Sequence, residues 1–249
     1  MFPEIISEKK AHNRKVVIHK GNRIIEKAKE IAAPKYGYYN FLKTVNPQGN
    51  FLDVGCGSSC SYIRNVLPSV NYAALDIIEY KPSLHETANK YIQSTPEHFA
   101  ETIENMEGYY DAVLSLHNLE HCSDRVKTTA AMAKALKNNG KMCLVFPSER
   151  SINFPSRKGT LNYYDDKDHQ LKPPNFEEII KTLENNNMTI IYKNGAYKPI
   201  IPYFIGLVFE PLSIITKRVK FGSYGTWAYW GFEAVIWAIK NIDSKKNGT

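Results

Sequence analysis

Cysteine is scarce in this sequence, and its spacing argues against two kinds of stabilising structure. Four cysteines occur among 249 residues, at positions 56, 60, 122 and 143. They form no CxxC pair, so we expect reduced thiols and a cytoplasmic location rather than a disulfide framework. Cys56 and Cys60 have no neighbouring His or Cys that would complete a tetrahedral set, so we expect no metal ligands.

Uninterrupted apolar runs are also lacking. Residues 1–23 carry charges without an apolar core, so we expect no signal peptide. The segment 198–217 is apolar, but Pro202, Glu210 and Pro211 interrupt it and disfavour a membrane span. We expect this segment to pack over a ligand site as a lid, and contact with a membrane surface is the alternative.

Basic charge is concentrated towards the two ends of the chain. Residues 1–50 hold 10 Lys+Arg and 4 Asp+Glu, and residues 193–249 hold 8 and 3. Residues 51–192 hold 14 and 18, so the middle of the chain is slightly acidic. The basic flanks fit an ordinary solvated surface, or an anionic partner such as a phosphorylated substrate, a nucleic acid or a membrane.

The middle of the chain alternates short apolar runs with helical patterns. Strands are predicted at 50–54, 70–76, 91–95, 110–116, 141–147, 188–197 and 228–240. Helices are predicted at 61–68, 83–91, 96–106, 123–140 and 175–187, with Ser123 and Asn175 as N-caps. Strands joined by helical crossovers predict a parallel sheet that is covered on both faces.

A glycine turn follows the first predicted strand, in the stretch "FLDVGCGSS" at 51–59. Gly55 and Gly57 permit positive φ angles and let a ligand approach the backbone. A dinucleotide-binding G-x-G-x-x-G motif would need a third glycine at position 60, where Cys60 stands. The chain also has no GxxxxGK[ST], which excludes a P-loop.

Two carboxylates suggest what this turn holds. Asp53 lies two residues before Gly55, where it would oppose a pyrophosphate and suit a cationic ligand. Asp76 ends the second predicted strand, where a carboxylate reaches the two hydroxyls of a ribose. A nucleoside with a positive charge and no phosphate fits both, and S-adenosylmethionine is such a ligand.

Four pieces of the sequence resemble class I S-adenosylmethionine-dependent methyltransferases. They are "DVGCG", "LD" at 75–76, "YDAVLSLHNLEHCSD" at 110–124 and "LKNNGKMCLVFP" at 136–147. They fall in order at the family's usual spacing over residues 36–195. The "LEH" form resembles the branch that acts on small molecules and on lipid or sugar precursors. The later stretches "NYYDDKDHQLKPPNFEEII" and "GTWAYWGFEAVIWA" look like methyltransferases of bacterial surface-polysaccharide pathways.

The resemblance implies a Rossmann-like, doubly wound α/β fold. It would have a mostly parallel seven-stranded sheet, an antiparallel last strand and helices on both faces. We expect one domain in three parts: a basic helical cap at 1–45, a cofactor-binding core at 46–197 with a substrate loop at 147–174, and the apolar lid and final strand at 198–249.

The resemblance also implies a set of site residues. The expected cofactor-binding residues are Asp53, Gly55, Cys56, Gly57, Asp76, Ile77, Ser94, Thr95, Ser115 and His117. Family members often carry an acid near the end of strand three that contacts adenine. Here the stretch reads "IQSTPEHF", so Ser94, the backbone at Thr95 or the displaced Glu97 would take that place. The expected substrate contacts are Asn118, Tyr163, Tyr164 and Asp168.

Methyl transfer to a hydroxyl also requires a group that takes a proton, and histidine suits that at neutral pH. His169 is the first candidate base and His121 the second, with Asp165, Asp166 and Asp168 placed to orient the His169 ring. We expect a small, anionic O- or N-acceptor and S-adenosylhomocysteine as product. A nucleic-acid methyltransferase and a non-catalytic S-adenosylmethionine-binding protein are the alternatives. We expect no nucleic-acid partner, because the sequence lacks a [DNS]-P-P-[YF] motif and an RNA-binding module.

Overall fold

The computed structural model describes residues 32–57, 60–78, 87–169 and 171–242. Seven strands form one sheet, and they are β1 (Asn50–Val54), β2 (Asn71–Asp76), β3 (Lys90–Gln93), β4 (Tyr110–Leu116), β5 (Leu136–Pro147), β6 (Met188–Asn194) and β7 (Glu233–Lys240). Their spatial order is β3-β2-β1-β4-β5-β7-β6.

The sheet is parallel except at its last strand. β1 pairs in parallel with β2 and β4, β3 pairs in parallel with β2, and β5 pairs in parallel with β4. β7 runs antiparallel between β5 and β6. The predicted mostly parallel seven-stranded sheet with an antiparallel last strand is therefore confirmed.

The helices are α1 (Tyr38–Leu42), α2 (Cys60–Val66), α3 (Phe99–Glu104), α4 (Arg125–Ala135), α5 (Phe176–Asn185), α6 (Ile200–Thr216) and α7 (Thr226–Trp230). Short 3₁₀ turns lie at Leu119–His121, Glu149–Asn153, Tyr163–Asp165 and Gly222–Tyr224. Of the predicted helix at 83–91, residues 83–86 lie outside the described part of the chain. The prediction is wrong for the rest, because 87–89 form a turn and β3 begins at Lys90.

Two apolar clusters cover the two faces of the sheet. Leu52 and Val113 pack on one face with buried side chains of α3, α4 and α5. Phe51 and Leu114 pack on the other face with α1 and α2. Successive residues of these strands alternate between the two clusters, because a strand directs neighbouring side chains to opposite faces. The predicted placement of helices on both faces is confirmed.

Helix α4 ends earlier than the predicted span 123–140. The carbonyls of Lys134 and Ala135 accept hydrogen bonds from the amides of Gly108 and Tyr109, at 2.9 and 3.0 Å. These bonds satisfy the last carbonyls of the helix without a further turn. The chain is therefore already extended at the next residue and continues directly as β5.

Two other predicted boundaries were also wrong. The N-cap of α4 is Asp124, whose carboxylate accepts from the amide of Lys127 at 2.8 Å, and not Ser123. The predicted strand 228–240 begins only at β7, because its first residues complete α7, which ends at Gly231 with φ 71°. A run of aromatic and small residues carries no periodicity that separates a short helix from a strand.

The apolar segment 198–217 forms the 17-residue helix α6, which a buried ion pair fixes to the loop after β5. Both guanidinium ends of Arg157 donate to the carboxylate of Glu210, at 2.7 and 2.9 Å. Arg157 also donates to Ser213 at 2.7 Å, and the indole of Trp230 in α7 donates to Glu210 at 3.0 Å. Within the described residues, no helix combines the length and apolarity needed to span a membrane.

Candidate active site

Two glycines in the left-handed conformation shape the turn after β1. Gly55 has φ 71° and Gly57 has φ 51°. A side chain at Gly55 would overlap Asn118, whereas a Cβ at Gly57 would meet no described residue within 4 Å. With respect to the described residues, the turn is thus packed against the end of β4 at Gly55 and leaves space beside Gly57, as the approach of a ligand to the backbone requires. The buried Cys56 fixes the turn to β2 through its amide, which donates to the carbonyl of Leu75 at 3.2 Å.

Asp76 joins this turn to the end of β2. One carboxylate oxygen accepts from the amide of Gly57 at 2.8 Å, and the other accepts from the amide of Ile77 at 2.7 Å. The oxygen bound by Ile77 also accepts from the amide of Ile78 at 3.3 Å, and the oxygen bound by Gly57 also accepts from the Cys56 thiol at 3.9 Å. Each oxygen therefore has one short and one long hydrogen bond. The exposed side chains of Ile77 and Ile78 lie next to it in the chain and offer an apolar surface.

Asp53 is buried in β1 below the same turn, with 2% of its surface exposed. The Tyr72 hydroxyl donates to its carboxylate at 3.0 Å. Its neighbours across the sheet are Ala74 in β2 and Leu114 in β4. Asp53 thus provides a buried carboxyl group one residue before the end of β1, where the turn begins.

The end of β4 carries the only predicted cofactor residue whose backbone is strained. His117 has φ 48°, a left-handed conformation that costs a non-glycine residue about 1–3 kcal/mol. Its amide donates to Val145 in β5 at 2.8 Å, which holds the strained residue in place. The next residue, Asn118, turns back towards the buried Ser115, and its amide nitrogen lies 3.4 Å from the serine hydroxyl.

The His117 ring bridges two carboxylates. Its Nδ1 lies 3.2 Å from Glu120, and its Nε2 lies 3.0 Å from Glu233 at the start of β7. Burial lowers the pKa of this imidazole, but the two hydrogen-bonded carboxylates outweigh burial and raise the pKa to about 10. Ser223 donates to the same oxygen of Glu233 at 2.7 Å, which ties the C-terminal segment to β4.

A cavity of about 240 Å³ opens beside His117 at the carboxyl ends of β4 and β5. Its walls come from α1, α2, the two strands and the segment before β7. The lining residues are Tyr38, Tyr62, Ile63, Leu116, His117, Val145, Ser223 and Glu233. The carboxyl edge of an open α/β sheet is where ligands of such folds generally bind.

His169 is buried in the loop after β5, and backbone rather than carboxylate groups orient it. Its Nδ1 lies 2.7 Å from the carbonyl oxygen of Tyr163, and the two rings stack at 4.3 Å. Asp166 approaches Nε2 only to 3.9 Å, and Asp168 is exposed. Asp165 instead accepts backbone hydrogen bonds that shape its own loop, including one from the Arg157 amide at 2.9 Å.

The remaining predicted contacts are spread over the surface. Ser94 is half-buried at the end of β3, and its hydroxyl lies 2.7 Å from that of Thr102. Thr95 and Tyr164 are exposed. Hydrogen bonds from its own backbone amide and from the Thr95 side chain lower the pKa of the exposed Glu97.

Sequence reasoning missed several residues of the cavity. Glu233 lies 116 residues from its partner His117, and no local pattern connects them. Tyr38 and Tyr62 belong to short helices whose aromatic residues look like ordinary core. The two predicted candidate bases do lie together: the ring centres of His121 and His169 are 4.8 Å apart. Of the predicted substrate contacts, none lines the cavity itself.

The model of a protein family described as "Methyltransferase domain" matches residues 21–192. No curated protein matches the chain. Solved structures that resemble it share little sequence identity, so they support the fold alone.

A SAM-dependent methyltransferase from Archaeoglobus fulgidus is 18% identical, with a TM-score of 0.51, covering 89% of this chain and 100% of that one. An S-adenosylmethionine-dependent methyltransferase from Mesorhizobium loti is 12% identical, with a TM-score of 0.52 and coverages of 86% and 96%. The [4+2]-cyclase SpnF is 14% identical, with a TM-score of 0.50 and coverages of 83% and 80%. Proteins with this fold therefore catalyse more than one reaction, so the activity of this chain is inferred from the family match and not from the fold.

The family match covers more than half of the chain, and the seven-stranded sheet agrees with it. The predicted enzyme class is confirmed: this chain belongs to the methyltransferase family and is an S-adenosylmethionine-dependent methyltransferase.

Proposed function

We propose that this methyltransferase binds its cofactor at the glycine turn after β1 and methylates a hydroxyl group of a small acceptor held in the cavity beside His117. One observation carries the proposal. His117 lines the cavity, while the next residue, Asn118, packs against Gly55 of the turn. Two consecutive residues at the end of β4 thus connect the two sites.

The residues around the turn fit S-adenosylmethionine. The space beside Gly57 receives the ligand, and the ribose hydroxyls replace the two long hydrogen bonds of Asp76. Asp53 suits the charged methionine part. We assign adenine to the surface formed by Ile77 and the Ser94 region. When bound, the sulfonium supplies an activated methyl group, so the protein has mainly to align and desolvate the acceptor.

The cavity lining favours a neutral, hydroxyl-bearing acceptor over an anionic one. Among its described lining residues, the charged groups are His117 and Glu233, and none is a lysine or an arginine. Tyr38 and Tyr62 give it aromatic walls with hydroxyl groups. A saccharide or a phenol matches this lining, and a sugar intermediate of the kind suggested by the sequence resemblance is included. The anionic acceptor expected from the sequence stays a prediction without support from this cavity.

The base for a hydroxyl acceptor also stays a prediction. His169 has one nitrogen for that task, since Nδ1 faces the Tyr163 carbonyl. His121 is exposed and lies beside it. The lid function of 198–217 is likewise a prediction, and no α6 residue lines the cavity.

Calorimetry with S-adenosylhomocysteine tests the cofactor site. Asp76→Ala should weaken binding by about 1–3 kcal/mol, the scale of removing a partner from buried polar groups. Asp111→Ala is the matched control, because Asp111 accepts from the Asn50 amide and from Lys137 at the opposite end of the strands. Equal affinity in the wild type and Asp76→Ala would remove Asp76 from the site.

Labelled methyl transfer tests the acceptor. A panel would hold catechol, a methyl glycoside, a sugar phosphate and a generic RNA. We expect transfer to a neutral hydroxylated compound and its loss in Ser223→Trp, which fills the cavity without touching the turn. Transfer to RNA that persists in Ser223→Trp would overturn the proposal in favour of a nucleic-acid methyltransferase.

A further inference from the structure

Three metal-ligating side chains meet beside the candidate active site. Glu120 and His121 lie in the 3₁₀ turn after β4, and His169 lies in the loop after β5. One potential ligand atom from each lies within 4.8 Å of the other two. Because 48 positions separate His121 from His169, folding and not local sequence creates this group.

His169 is set up as a ligand by its surroundings. A carbonyl oxygen can only accept, so the 2.7 Å contact with Tyr163 places the ring proton on Nδ1 and the lone pair on Nε2. Stacking on Tyr163 and an exposed fraction of 5% hold the ring in one orientation. In proteins, a histidine that binds a metal through one ring nitrogen almost always donates the N–H of its other ring nitrogen to a carbonyl, a carboxylate or water.

Glu120 supplies the charge that the group needs. Its side chain is 1% exposed, and its Oε1 is oriented by Nδ1 of His117 at 3.2 Å. Its Oε2 is buried and has no hydrogen-bond partner among the described residues. An unpaired buried carboxylate oxygen is costly, and a bound cation removes that cost.

We propose that Glu120, His121 and His169 bind a divalent transition-metal ion. Two imidazoles and one carboxylate suit zinc and its first-row neighbours, and three protein ligands leave coordination positions open. Ligand atoms on one tetrahedral zinc lie about 3.3 Å apart, given bonds of about 2.0–2.1 Å. The three ligand atoms must therefore move closer than their present separation of up to 4.8 Å, and the exposed His121 side chain can rotate to allow this.

The role of the ion rests on the proposed function. An acceptor hydroxyl bound at an open position loses its proton to solvent more readily, because the cation stabilises the oxyanion. That oxygen forms a bond to the methyl carbon, and the electrons of the breaking carbon–sulfur bond stay on sulfur. The products are the methyl ether, S-adenosylhomocysteine and one proton. In this arrangement His169 uses its Nε2 lone pair on the ion and is no longer a base.

Zinc titration of the chelator-treated full chain tests the site. We expect one Zn²⁺ per chain, bound about 100-fold or more weakly in Glu120→Gln and His121→Gln, since loss of even a second-shell group costs about 10–100-fold. His121 is exposed, so its substitution tests the site without disturbing the core. His98→Gln is the matched control, because His98 is also an exposed histidine next to a glutamate, Glu101, and lies outside the proposed site.

Binding of S-adenosylhomocysteine, measured on the same samples, should not change. This separates the metal site from the proposed function, because zinc binding is scored without any acceptor. Zinc affinity that is the same in wild type, His121→Gln and Glu120→Gln would overturn the site. If the chain binds zinc but methylates no acceptor, only the proposed function is overturned, and the metal site stands.

The outer face of α6 supports a second, independent inference. It carries exposed apolar side chains along its whole length, namely Ile200, Ile201, Phe204, Leu207, Val208, Leu212, Ile214 and Ile215. The single charged residue of the helix, Glu210, is buried. Exposed lysine and arginine side chains flank both ends, at Lys198, Lys217 and Arg218. An apolar face with basic ends is complementary to a membrane surface that contains anionic lipid.

We infer that α6 lies on such a membrane surface, with its apolar face among the acyl chains. Sedimentation with vesicles of phosphatidylcholine and phosphatidylglycerol tests this. Val208→Asp and Ile215→Asp should each lower the vesicle partition coefficient about tenfold or more, the value of burying one aliphatic side chain. Ile191→Asp, at an exposed isoleucine of β6, is the control. No vesicle binding by the wild type, or a dimer that these substitutions dissociate, would overturn the inference.

Discussion

Helices α5 and α6 are both amphipathic, but they are packed in opposite senses. α5 buries Ile179, Ile180 and Leu183 against the sheet and leaves its charged residues in water. α6 buries Pro202, Gly206, Glu210 and Ser213 and exposes most of its large apolar side chains. Hydrophobic burial therefore holds α5 to the sheet. In contrast, α6 is held by the close contact of Gly206 with α7 and by the hydrogen bonds between Arg157 and Glu210.

The difference teaches what an apolar stretch of sequence does not reveal. Burial of α5 follows from its apolar positions at i, i+3 and i+4. In α6 the small and polar positions face the protein, so the apolar residues remain for another surface. The same kind of pattern thus supports the fold in one helix and an interaction in the other.

The largest effect should come from breaking the buried ion pair that fixes α6. Arg157→Met leaves the carboxylate of Glu210 buried without its partner, which typically costs about 3–5 kcal/mol. Urea denaturation should show that loss in the free energy of unfolding. The double variant with Glu210→Gln should recover part of it. As a control, Lys134→Met removes the surface partner of Glu104 and should leave the free energy of unfolding nearly unchanged, because solvent screens an exposed ion pair.

A cavity in α5 should cost nearly as much. Leu183 is fully buried in the cluster beneath the helix, so Leu183→Ala removes apolar contacts and should lower the free energy of unfolding by about 2–5 kcal/mol. Denaturant titration measures it. A loss below about 1 kcal/mol would show that α5 is not held by hydrophobic burial, and the comparison with α6 would fail.

The close approach of α6 to α7 should reverse the usual effect of a glycine substitution. In an exposed helix Gly→Ala stabilises by about 1 kcal/mol. At Gly206 a Cβ would overlap the carbonyl oxygen of Gly225 and come within 2.6 Å of Cβ of Tyr229. Gly206→Ala should therefore destabilise by about 1–3 kcal/mol, as overpacking does. A higher melting temperature in this variant would contradict the packing described.

The sequence was sufficient for the parts of the fold that local pattern controls. The central strands are largely apolar runs, and α5 begins directly after its predicted N-cap Asn175, whose side chain accepts from the Glu178 amide at 2.9 Å. The turn glycines and the strand-end aspartates Asp53 and Asp76 were placed at one edge of the sheet because parallel strands end together. Their cofactor contacts stay predictions.

The features that were predicted wrongly or not at all depend on contacts between residues that are distant in the sequence. α4 ends early because the amides of Gly108 and Tyr109 come from another part of the chain. The pairs His117–Glu233 and Arg157–Glu210 are also separated by many residues, and so are the histidines near Glu120. The periodicity of apolar residues shows which face of a helix or strand is apolar, but it does not show which other part of the chain packs against that face.

The smallest effect is expected at the outer face of α6. Val208 is 71% exposed, so Val208→Ala removes few contacts and should change the free energy of unfolding by no more than about 0.5 kcal/mol. Ile180→Val in α5 deletes a single buried methyl group and should cost about 0.5–1.5 kcal/mol. Parallel urea titrations of the two variants compare the faces directly. Because alanine favours helix more than valine does, Val208→Ala can even stabilise slightly. A loss of more than 1 kcal/mol at Val208 would mean that this face is packed in the isolated protein, and the contrast between the two helices would then disappear.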